Sequence, residues 1–349
     1  MVKVNVNRPQ RFAEKEPFFS IIVVSYNYEK FLPRALTAIK KQTFKDYEIV
    51  IVDNGSTDNS NKLIKRFIKR NEDLFITHVH IEENKGLPLG RNKGIDNAHG
   101  KYLVFNDADD WMDKNCLEEM YKASENGTVD RIVFQVRDVS TDGKILQTRN
   151  YTDDMSVWLI TLLQGNAFKR DIFEKYDIRV PDTFMDDVYI SFNFNKHAKS
   201  HKILRKTVYN YFVNRNSTSG PNTIADPKRV SDMMEDMVHV VNDTRQGLEV
   251  KEWKELEYQL IKFYYYVIFH YNRGRKFTEF KRLYKTLHTI MAGYDKDYLK
   301  NPHITLRKNG DRLYGRVLAV VFGTAEKLHL MTCVLWIYAL LSKFIYFNV

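Results

Sequence analysis

Cysteine is scarce in this sequence of 349 residues, which contains only 2, Cys116 and Cys333. Two cysteines so far apart in the chain provide neither a disulfide framework nor a cysteine-based zinc site. We therefore expect a protein of a reducing compartment.

Long apolar segments are absent as well. Residues 1–17 are polar and charged, so the apolar core of a secretory signal is missing and we expect a cytoplasmic protein. The apolar runs at 317–325 and 328–341 are shorter than the roughly 20 residues that a membrane-spanning helix needs. They fit interfacial or buried helices better.

The composition is that of a folded protein. Hydrophobic residues make up 44%, charged residues 28% and aromatic residues 13% of the chain, which excludes a disordered chain. The length allows two domains. The formal net charge of +10 favours an anionic partner. Because no nucleic-acid-binding motif accompanies the charge, we expect no nucleic acid among the partners.

The first third of the chain alternates short apolar runs with segments of helical spacing. Runs that are apolar throughout predict strands covered on both faces, hence an α/β fold with a mostly parallel sheet flanked by helices. The predicted strands are 18–25, 47–53, 74–81 and 102–106, and the predicted helices are 29–42, 60–70 and 87–98. Residues 153–163 also have helical spacing, and beyond residue 226 helical patterns dominate.

Polar residues follow three of these strands, where ligands bind in such sheets. They are Ser25-Tyr26-Asn27, the segment from Asp53 to Asp58, and Asp107-Ala108-Asp109-Asp110. A turn and a helix cap account for most of the second segment. They do not account for Asp53, the last residue of a predicted buried strand.

The cluster of Asp107, Asp109 and Asp110 predicts a cation site. Crowded carboxylates raise one another's pKa unless a cation neutralises them. Carboxylate oxygens suit Mg²⁺ or Mn²⁺, whose shell substrate phosphates often complete. The alternative interpretation is an exposed acidic turn.

The stretch from Ser20 to Trp111 resembles the catalytic domain of family 2 glycosyltransferases of the GT-A fold. The resemblance rests on several ordered motifs, which are Ser25-Tyr26-Asn27, Val52 to Asp58, Asn84-x-Gly86, Gly90-Arg91-Asn92-x-Gly94 and Asp107 to Trp111. It implies a Rossmann-like, mostly parallel sheet and a nucleotide-sugar donor. Two departures from the family pattern are Val24, where many members have proline, and Gly90, where many have alanine.

The resemblance also implies roles for individual residues. Asp107 and Asp109 match the family's metal-binding Asp-x-Asp, with Mn²⁺ or Mg²⁺ as the cofactor. Arg91 falls near the donor diphosphate. The remaining residues implied to bind the nucleotide sugar are Ser25, Tyr26, Asn27, Asp53, Ala108 and Asp110.

Further along the chain, Asp186-Asp187 resembles the acidic pair that precedes a helix in this family, with Asp187 as the catalytic base. Asp186 stands where glutamate is commoner, so the assignment within the pair stays open. Two aspartates favoured at a helix N-terminus by the macrodipole are the alternative. Arg215 and Ser217 resemble a loop that orders over the diphosphate, and an exposed polar turn is the alternative there.

Two histidine pairs have spacings that metal sites use. His78-x-His80 falls on a predicted strand, and His197 and His201 are four residues apart. Because no third ligand is evident in the sequence, we interpret them as ordinary strand and surface histidines.

We expect an N-terminal extension at 1–17, a GT-A catalytic domain at 18–220, and a helical C-terminal region at 221–349. The C-terminal region is expected to contact the inner face of the cell membrane, because Trp336 and Tyr338 suit an interface. A helical bundle or a homo-oligomer surface is the alternative.

The expected activity is inverting, metal-dependent transfer of a sugar from a nucleotide donor, UDP above all. The acceptor would be a growing bacterial surface glycan or a lipid-linked oligosaccharide. A teichoic-acid-like polyol phosphate is an alternative acceptor, which the basic residues between 273 and 285 would suit. A catalytically silent GT-A module that serves as a binding or assembly subunit is the alternative of another class.

Overall fold

The computed structural model describes residues 1–213, 226–271 and 275–341. They form two compact units. The first comprises Met1–Asp153 and Leu162–Val213, and the second comprises Asp154–Thr161 together with the described residues from 226 onward. The domain boundaries expected from the sequence stay a prediction.

The first unit is built on one ten-stranded mixed sheet with α-helices on both faces. The strands are β1 (Val2–Asn7), β2 (Phe19–Ser25), β3 (Tyr47–Asn54), β4 (Phe75–Ile81), β5 (Tyr102–Phe105), β6 (Trp111–Met112), β7 (Arg131–Val139), β8 (Ile145–Arg149), β9 (Asn166–Lys169) and β10 (His201–Phe212). The helices are α1 (Leu32–Lys40), α2 (Ser60–Lys69), α3 (Leu87–Asp96), α4 (Cys116–Ala123), α5 (Arg170–Lys175) and α6 (Asp186–His197).

The strand order is β1-β4-β3-β2-β5-β9-β7-β10-β6, with β8 paired to β7. Strands β4, β3, β2 and β5 are parallel neighbours, as are β7 and β10. Strands β1, β6, β8 and β9 are antiparallel to their neighbours. The predicted α/β fold, with parallel strands at its centre and a helical C-terminal region, is confirmed.

Every residue of β2 and β3 is buried, because both faces of the sheet are covered. Successive side chains of a strand point to opposite faces of the sheet. Ile21 packs in a core with Leu36 of α1, Ile64 of α2 and Leu117 of α4. Its neighbour Ile22 packs in a second core, on the opposite face, with residues of α3, α5 and α6. Helices on both faces therefore require continuously apolar strands.

Helix α3 lies unusually close to β2 because two glycines face the strand. A Cβ atom on Gly90 would lie 2.6 Å from Cγ1 of Val24, and one on Gly94 would lie 2.4 Å from Cγ2 of Ile22. The glycines thus permit a packing distance between α3 and β2 that alanine would obstruct.

One prediction about local structure needs correction. Residues 153–163, despite their helical spacing, contain only a 3₁₀ turn at Val157–Leu159, which Ser156 caps. The predicted N-terminal extension at 1–17 contributes β1, which pairs with β4.

The second unit is helical, as predicted. It contains α7 (Pro227–Arg245), α8 (Val250–His270), α9 (Phe277–Tyr294), α10 (Leu313–Lys327) and α11 (Met331–Leu341). Apolar residues of α7, α8 and α9 form its interior, such as Met237, Ile261 and Leu287. No helix among the described residues is both long and apolar enough to cross a bilayer.

Candidate functional site

The carboxyl ends of the parallel strands place three polar residues side by side. Ser25 of β2 is in register with Asp53 of β3, and Asp53 is in register with His80 of β4. Ser25 and Asp53 are buried, and the Ser25 hydroxyl has no hydrogen-bond partner among the described residues. Tyr26, the next residue, is 40% exposed. An aromatic ring at the surface therefore stands beside a buried polar row.

The Asp53 carboxylate is held at both oxygens. Oδ1 accepts a hydrogen bond from the Ser56 backbone N–H at 3.2 Å, and Oδ2 lies 2.9 Å from Nδ1 of His80. Asn27 joins the same loop, because its Oδ1 accepts from the Thr57 N–H at 2.8 Å and its own N–H donates to the Ser56 hydroxyl at 3.0 Å. The loops that follow β2 and β3 are thus tied together around Asp53.

In the acidic segment after β5, residues 107–110, some side chains are partly accessible and others are buried. Asp107 accepts from Gln164 Nε2 at 2.6 Å. Asp110 is turned inward, where it accepts from the Tyr209 hydroxyl at 2.9 Å and from the Phe212 N–H at 2.7 Å. Ala108 lies in the apolar core. Asp110 therefore fixes the end of β10 to this segment, while Asp107 and Asp109 stay partly accessible.

Burial and the neighbouring Asp107 carboxylate raise the pKa of Asp109 to about 6. The shift reflects negative charge that the surrounding residues do not fully neutralise. Two partly accessible carboxylates in this state match the donor set that Mg²⁺ and Mn²⁺ prefer. The residues present therefore fit such an ion.

Arg91 gathers the acidic residues from two other parts of the chain. Its Nε donates to Asp186 Oδ2 at 2.5 Å, its Nη2 donates to Asp187 Oδ1 at 2.8 Å, and Nη2 lies 3.5 Å from Asp107 Oδ1. The guanidinium is buried. The nearby carboxylates raise the pKa of Arg91 against the opposing effect of burial, so the group stays charged. The Arg91 guanidinium thus joins the acidic segment after β5 to the N-terminus of α6.

The acidic pair is not equivalent in its surroundings. The Asp187 side chain is 30% exposed and that of Asp186 is 13% exposed. Burial, together with the Asp186 and Asp107 carboxylates, raises the pKa of Asp187, and Arg91 opposes this shift. Asp187 therefore combines access to solvent with an elevated basicity.

The residues that the sequence singled out fall into two groups in the first unit. Ser25, Asn27 and Asp53 surround the ends of β2 and β3, whereas Arg91, Asp107, Asp186 and Asp187 form the charged cluster. Asp110 and Ala108 support the fold beneath the second group. Arg215 and Ser217 lie outside the described residues.

Several site residues were missed in the sequence. His80 contacts Asp53, and Gln164 holds Asp107. Arg34 donates to the Asp109 carbonyl at 2.5 Å and lies 4.0 Å from the Trp111 ring centroid. Only His80 had a signal, since it stands at the end of a predicted strand next to Asp53. Gln164 and Arg34 come from segments whose approach depends on tertiary packing.

A comparison with protein families agrees with this geometry. Residues 20–185 match the model of the family described as "Glycosyl transferase family 2". The chain carries a family 2 glycosyltransferase domain. The match runs from the second residue of β2 to the residue before α6, and so includes every residue of the two groups except Asp186 and Asp187.

Two curated relatives of the chain are bacterial glycosyltransferases. "Glycosyltransferase GlyA" of Streptococcus pneumoniae is 29% identical over 225 residues, which are 57% of this chain and 31% of the relative. "Poly(ribitol-phosphate) beta-glucosyltransferase" of Bacillus spizizenii is 25% identical over 244 residues, which are 66% of this chain and 38% of the relative. The chain thus spans about a third of the length of these relatives.

Solved structures share the fold of the chain. S. aureus TarS 1–349 in complex with UDP-GlcNAc has a TM-score of 0.65 at 19% identity and covers 87% of this chain and 88% of that one. Mannosyltransferase PcManGT from Pyrobaculum calidifontis, in complex with GDP-Man and Mn²⁺, has a TM-score of 0.55 at 17% identity and covers 95% and 88%.

Proposed function

We propose that this glycosyltransferase is an inverting, metal-dependent enzyme that takes its sugar from a UDP-linked donor. The observation that carries the proposal is the Arg91 cluster. It brings Asp187, a candidate base, next to Asp107, a candidate metal ligand, although the two residues lie 80 positions apart in the sequence.

The proposed donor site combines the two groups of residues. Tyr26 and Ser25 contact the nucleoside, and Asp53 accepts a hydrogen bond from the base. A carboxylate accepts from a ring N–H, which uracil offers. Asp107 and Asp109 hold Mg²⁺ or Mn²⁺, which when bound neutralises charge that develops on a departing diphosphate. The solved complexes of TarS with UDP-GlcNAc and of PcManGT with Mn²⁺ support both assignments by analogy of fold.

Arg91 receives a positioning role in this proposal. Its guanidinium donors are directed at Asp186 and Asp187, so it orients the base and keeps three carboxylates together. Asp187 accepts the proton of the acceptor hydroxyl as that oxygen attacks the anomeric carbon. Because attack comes from the side opposite to the leaving diphosphate, a single displacement inverts the anomeric configuration.

The proposed acceptor is a hydroxyl of a growing bacterial surface glycan or of a lipid-linked oligosaccharide. A polyol-phosphate acceptor is the second candidate. It is favoured by the relative named for poly(ribitol-phosphate) and by the basic residues of α9, which carries Lys281, Arg282 and Lys285 against Glu279.

The second unit is proposed to bind the cytoplasmic face of the cell membrane. Apolar side chains of α10 and α11 are exposed, with Trp336 at 53% and Leu340 at 54%. These two residues lie one helical turn apart on α11. Such a surface fits an interfacial helix, and it would bring the enzyme to a lipid-linked acceptor.

The experiment that tests the activity measures UDP release from a panel of UDP-sugars in the presence of Mn²⁺. We expect release by the unaltered chain with at least one donor. Asp187→Asn should bind UDP as before and lose transfer. Asp182→Asn removes an exposed carboxylate shortly before α6 and should keep both. Full transfer by Asp187→Asn would exclude Asp187 as the base.

A further inference from the structure

His78 and His80 point to the same face of the sheet, because they are two residues apart on β4. The neighbouring strand β3 places Asp53 in register with His80. One ligand atom from each of the three residues lies within 4.8 Å of the other two. Two histidines on one strand and an aspartate on the next thus converge on a single point, and the sequence interpretation of ordinary histidines lacked this third ligand.

The surroundings of this point leave buried polar atoms without partners. Both ring nitrogens of His78 are buried and have no hydrogen-bond partner among the described residues, and the same holds for Oδ1 of Asn61. Nδ2 of Asn61 lies 2.9 Å from Nδ1 of His80. A buried imidazole without a partner is unfavourable, and a bound ion would remove that cost.

We propose that Asp53, His78 and His80 bind a divalent transition-metal ion of the zinc type. Two imidazole nitrogens and one carboxylate oxygen suit Zn²⁺, whereas Mg²⁺ prefers oxygen ligands throughout. The site is therefore distinct in both position and metal preference from Asp107 and Asp109. Asn61 supplies a fourth ligand when its amide turns Oδ1 towards the ion, since O and N of an amide are assigned from the hydrogen bonds around them.

The ion would leave part of Asp53 free. His80 is adjacent to Oδ2, while Oδ1 faces the Ser56 N–H on the loop side. Each carboxylate oxygen can accept more than one hydrogen bond. The ion would hold β3 and β4 together near their carboxyl ends and fix the orientation of Asp53. This site goes beyond the proposed glycosyl transfer and does not depend on it.

The test is a Co²⁺ titration of the full chain after removal of metals, with Mg²⁺ present in excess to fill oxygen-only sites. We expect visible absorption bands typical of low-coordinate Co²⁺, and their loss when Zn²⁺ is added. His78→Gln and His80→Gln should each lose the bands. His80 is partly exposed, so its variant is expected to fold, which circular dichroism checks.

Matched controls separate this site from the others. Asp109→Asn alters the proposed magnesium or manganese site, and His99→Gln alters a histidine that contacts Glu48 elsewhere in the unit. Both should keep the bands. Absence of bands in the unaltered chain, or bands that persist in a folded His80→Gln variant, would overturn the proposal, whatever the enzyme's activity towards UDP-sugars.

Discussion

The buried Arg91 guanidinium forms an ion pair with the partly exposed Asp187, in which Nη2 lies 2.8 Å from Oδ1, and it also holds Asp186. The pair links α3 to α6, and so joins two segments 96 residues apart. Removing one partner of a buried ion pair leaves an uncompensated charge, which costs far more than the loss of a surface pair.

Arg91→Met should destabilise the chain by about 3–5 kcal/mol near neutral pH. The cost should shrink in acid, because Asp187 and Asp107, whose pKa values are raised by burial, can then take up protons and lose their charge. Urea unfolding at several pH values measures both effects. As a control, Arg179→Met breaks the surface pair with Asp96 and should cost at most about 1 kcal/mol. Equal costs for the two variants would show that Arg91 does not organise the cluster.

Val24 and Gly90, the two departures from the family pattern, touch each other. A Cβ atom on Gly90 would lie 2.6 Å from Cγ1 of Val24. We infer that they are a compensating pair. Gly90→Ala should destabilise the chain by about 1–3 kcal/mol through overpacking. The same change in a Val24→Ala background should cost less, because the opposing methyl group is gone, and a double-mutant cycle measures the coupling.

Gly293 in α9 provides a control in which substitution by alanine should raise the stability instead of lowering it. A Cβ atom there would meet nothing within 4 Å among the described residues. Gly293→Ala should therefore stabilise the chain by roughly 0.5–1 kcal/mol. If Gly90→Ala also stabilises, or if the cycle shows no coupling, Val24 and Gly90 are independent.

Glu326 of α10 is a buried carboxylate surrounded by tyrosines. It accepts hydrogen bonds from Tyr264 and Tyr298, each at 2.6 Å, and from Tyr265 and Tyr284, each at 3.1 Å. Burial acts to raise the pKa of Glu326, but the His288 ring, whose Nδ1 lies 3.6 Å from Oε1, and the hydrogen bonds from the tyrosines lower it below its ordinary 4.5. The neighbouring Glu326 carboxylate in turn raises the pKa of His288 above its ordinary 6.5.

The stability of the chain should therefore depend on pH in two directions. The contribution of Glu326 is complete above 4.5 and is lost as the pH falls through its lower folded pKa. The contribution of His288 is complete below 6.5 and is lost as the pH rises through its higher folded pKa. Both are present between 4.5 and 6.5, where we expect this network to contribute most.

Glu326→Gln should remove both of these pH dependences and cost roughly 1–3 kcal/mol of stability. Thermal unfolding as a function of pH measures the change. Glu279→Gln replaces an exposed carboxylate of α9 and should preserve the unaltered profile. A Glu326→Gln variant with the same profile would mean that the network does not titrate as described.

Membrane binding can be tested by substitutions in α11 of the full chain. The double variant Trp336→Ser, Leu340→Ser removes two exposed side chains that would each contribute about 1.5–3 kcal/mol on transfer into lipid. Its partition into anionic vesicles should fall at least about tenfold by co-sedimentation. Leu306→Ser, exposed at a position outside the helices, should partition as before. Equal partition of all three proteins, with concentration-dependent association of the unaltered chain, would assign the surface to a second copy instead.

The sequence predicted the central strands well because burial on both faces leaves an unmistakable apolar run, as in β2 and β3. It did not predict β1, whose alternating Val2, Val4 and Val6 are exposed and pair with β4 from distant sequence. Residues 153–163 have helical spacing, but the backbone of this segment also forms hydrogen bonds with residues distant in sequence. Ser156, for example, donates its N–H to the Gly310 carbonyl.

The candidate site shows the same division. The aspartates that follow the predicted strands indicated a cation site, since the carboxyl ends of parallel strands lie at the same side of a sheet. The partners of those residues could not be predicted, because Arg91 meets Asp187 and His80 meets Asp53 only through helix and strand packing. The inward turn of Asp110 towards Tyr209 likewise has no signal in the spacing of the acidic segment.

The most direct measurement is calorimetry of UDP binding with and without Mn²⁺, for the unaltered chain and for Asp109→Asn. If Asp107 and Asp109 hold the ion that binds the donor's diphosphate, UDP should bind tightly only when Mn²⁺ is present, and Asp109→Asn should lose that Mn²⁺-dependent affinity while its thermal unfolding shows a folded chain. UDP affinity that is independent of Mn²⁺, or that a folded Asp109→Asn variant fully retains, would contradict the account.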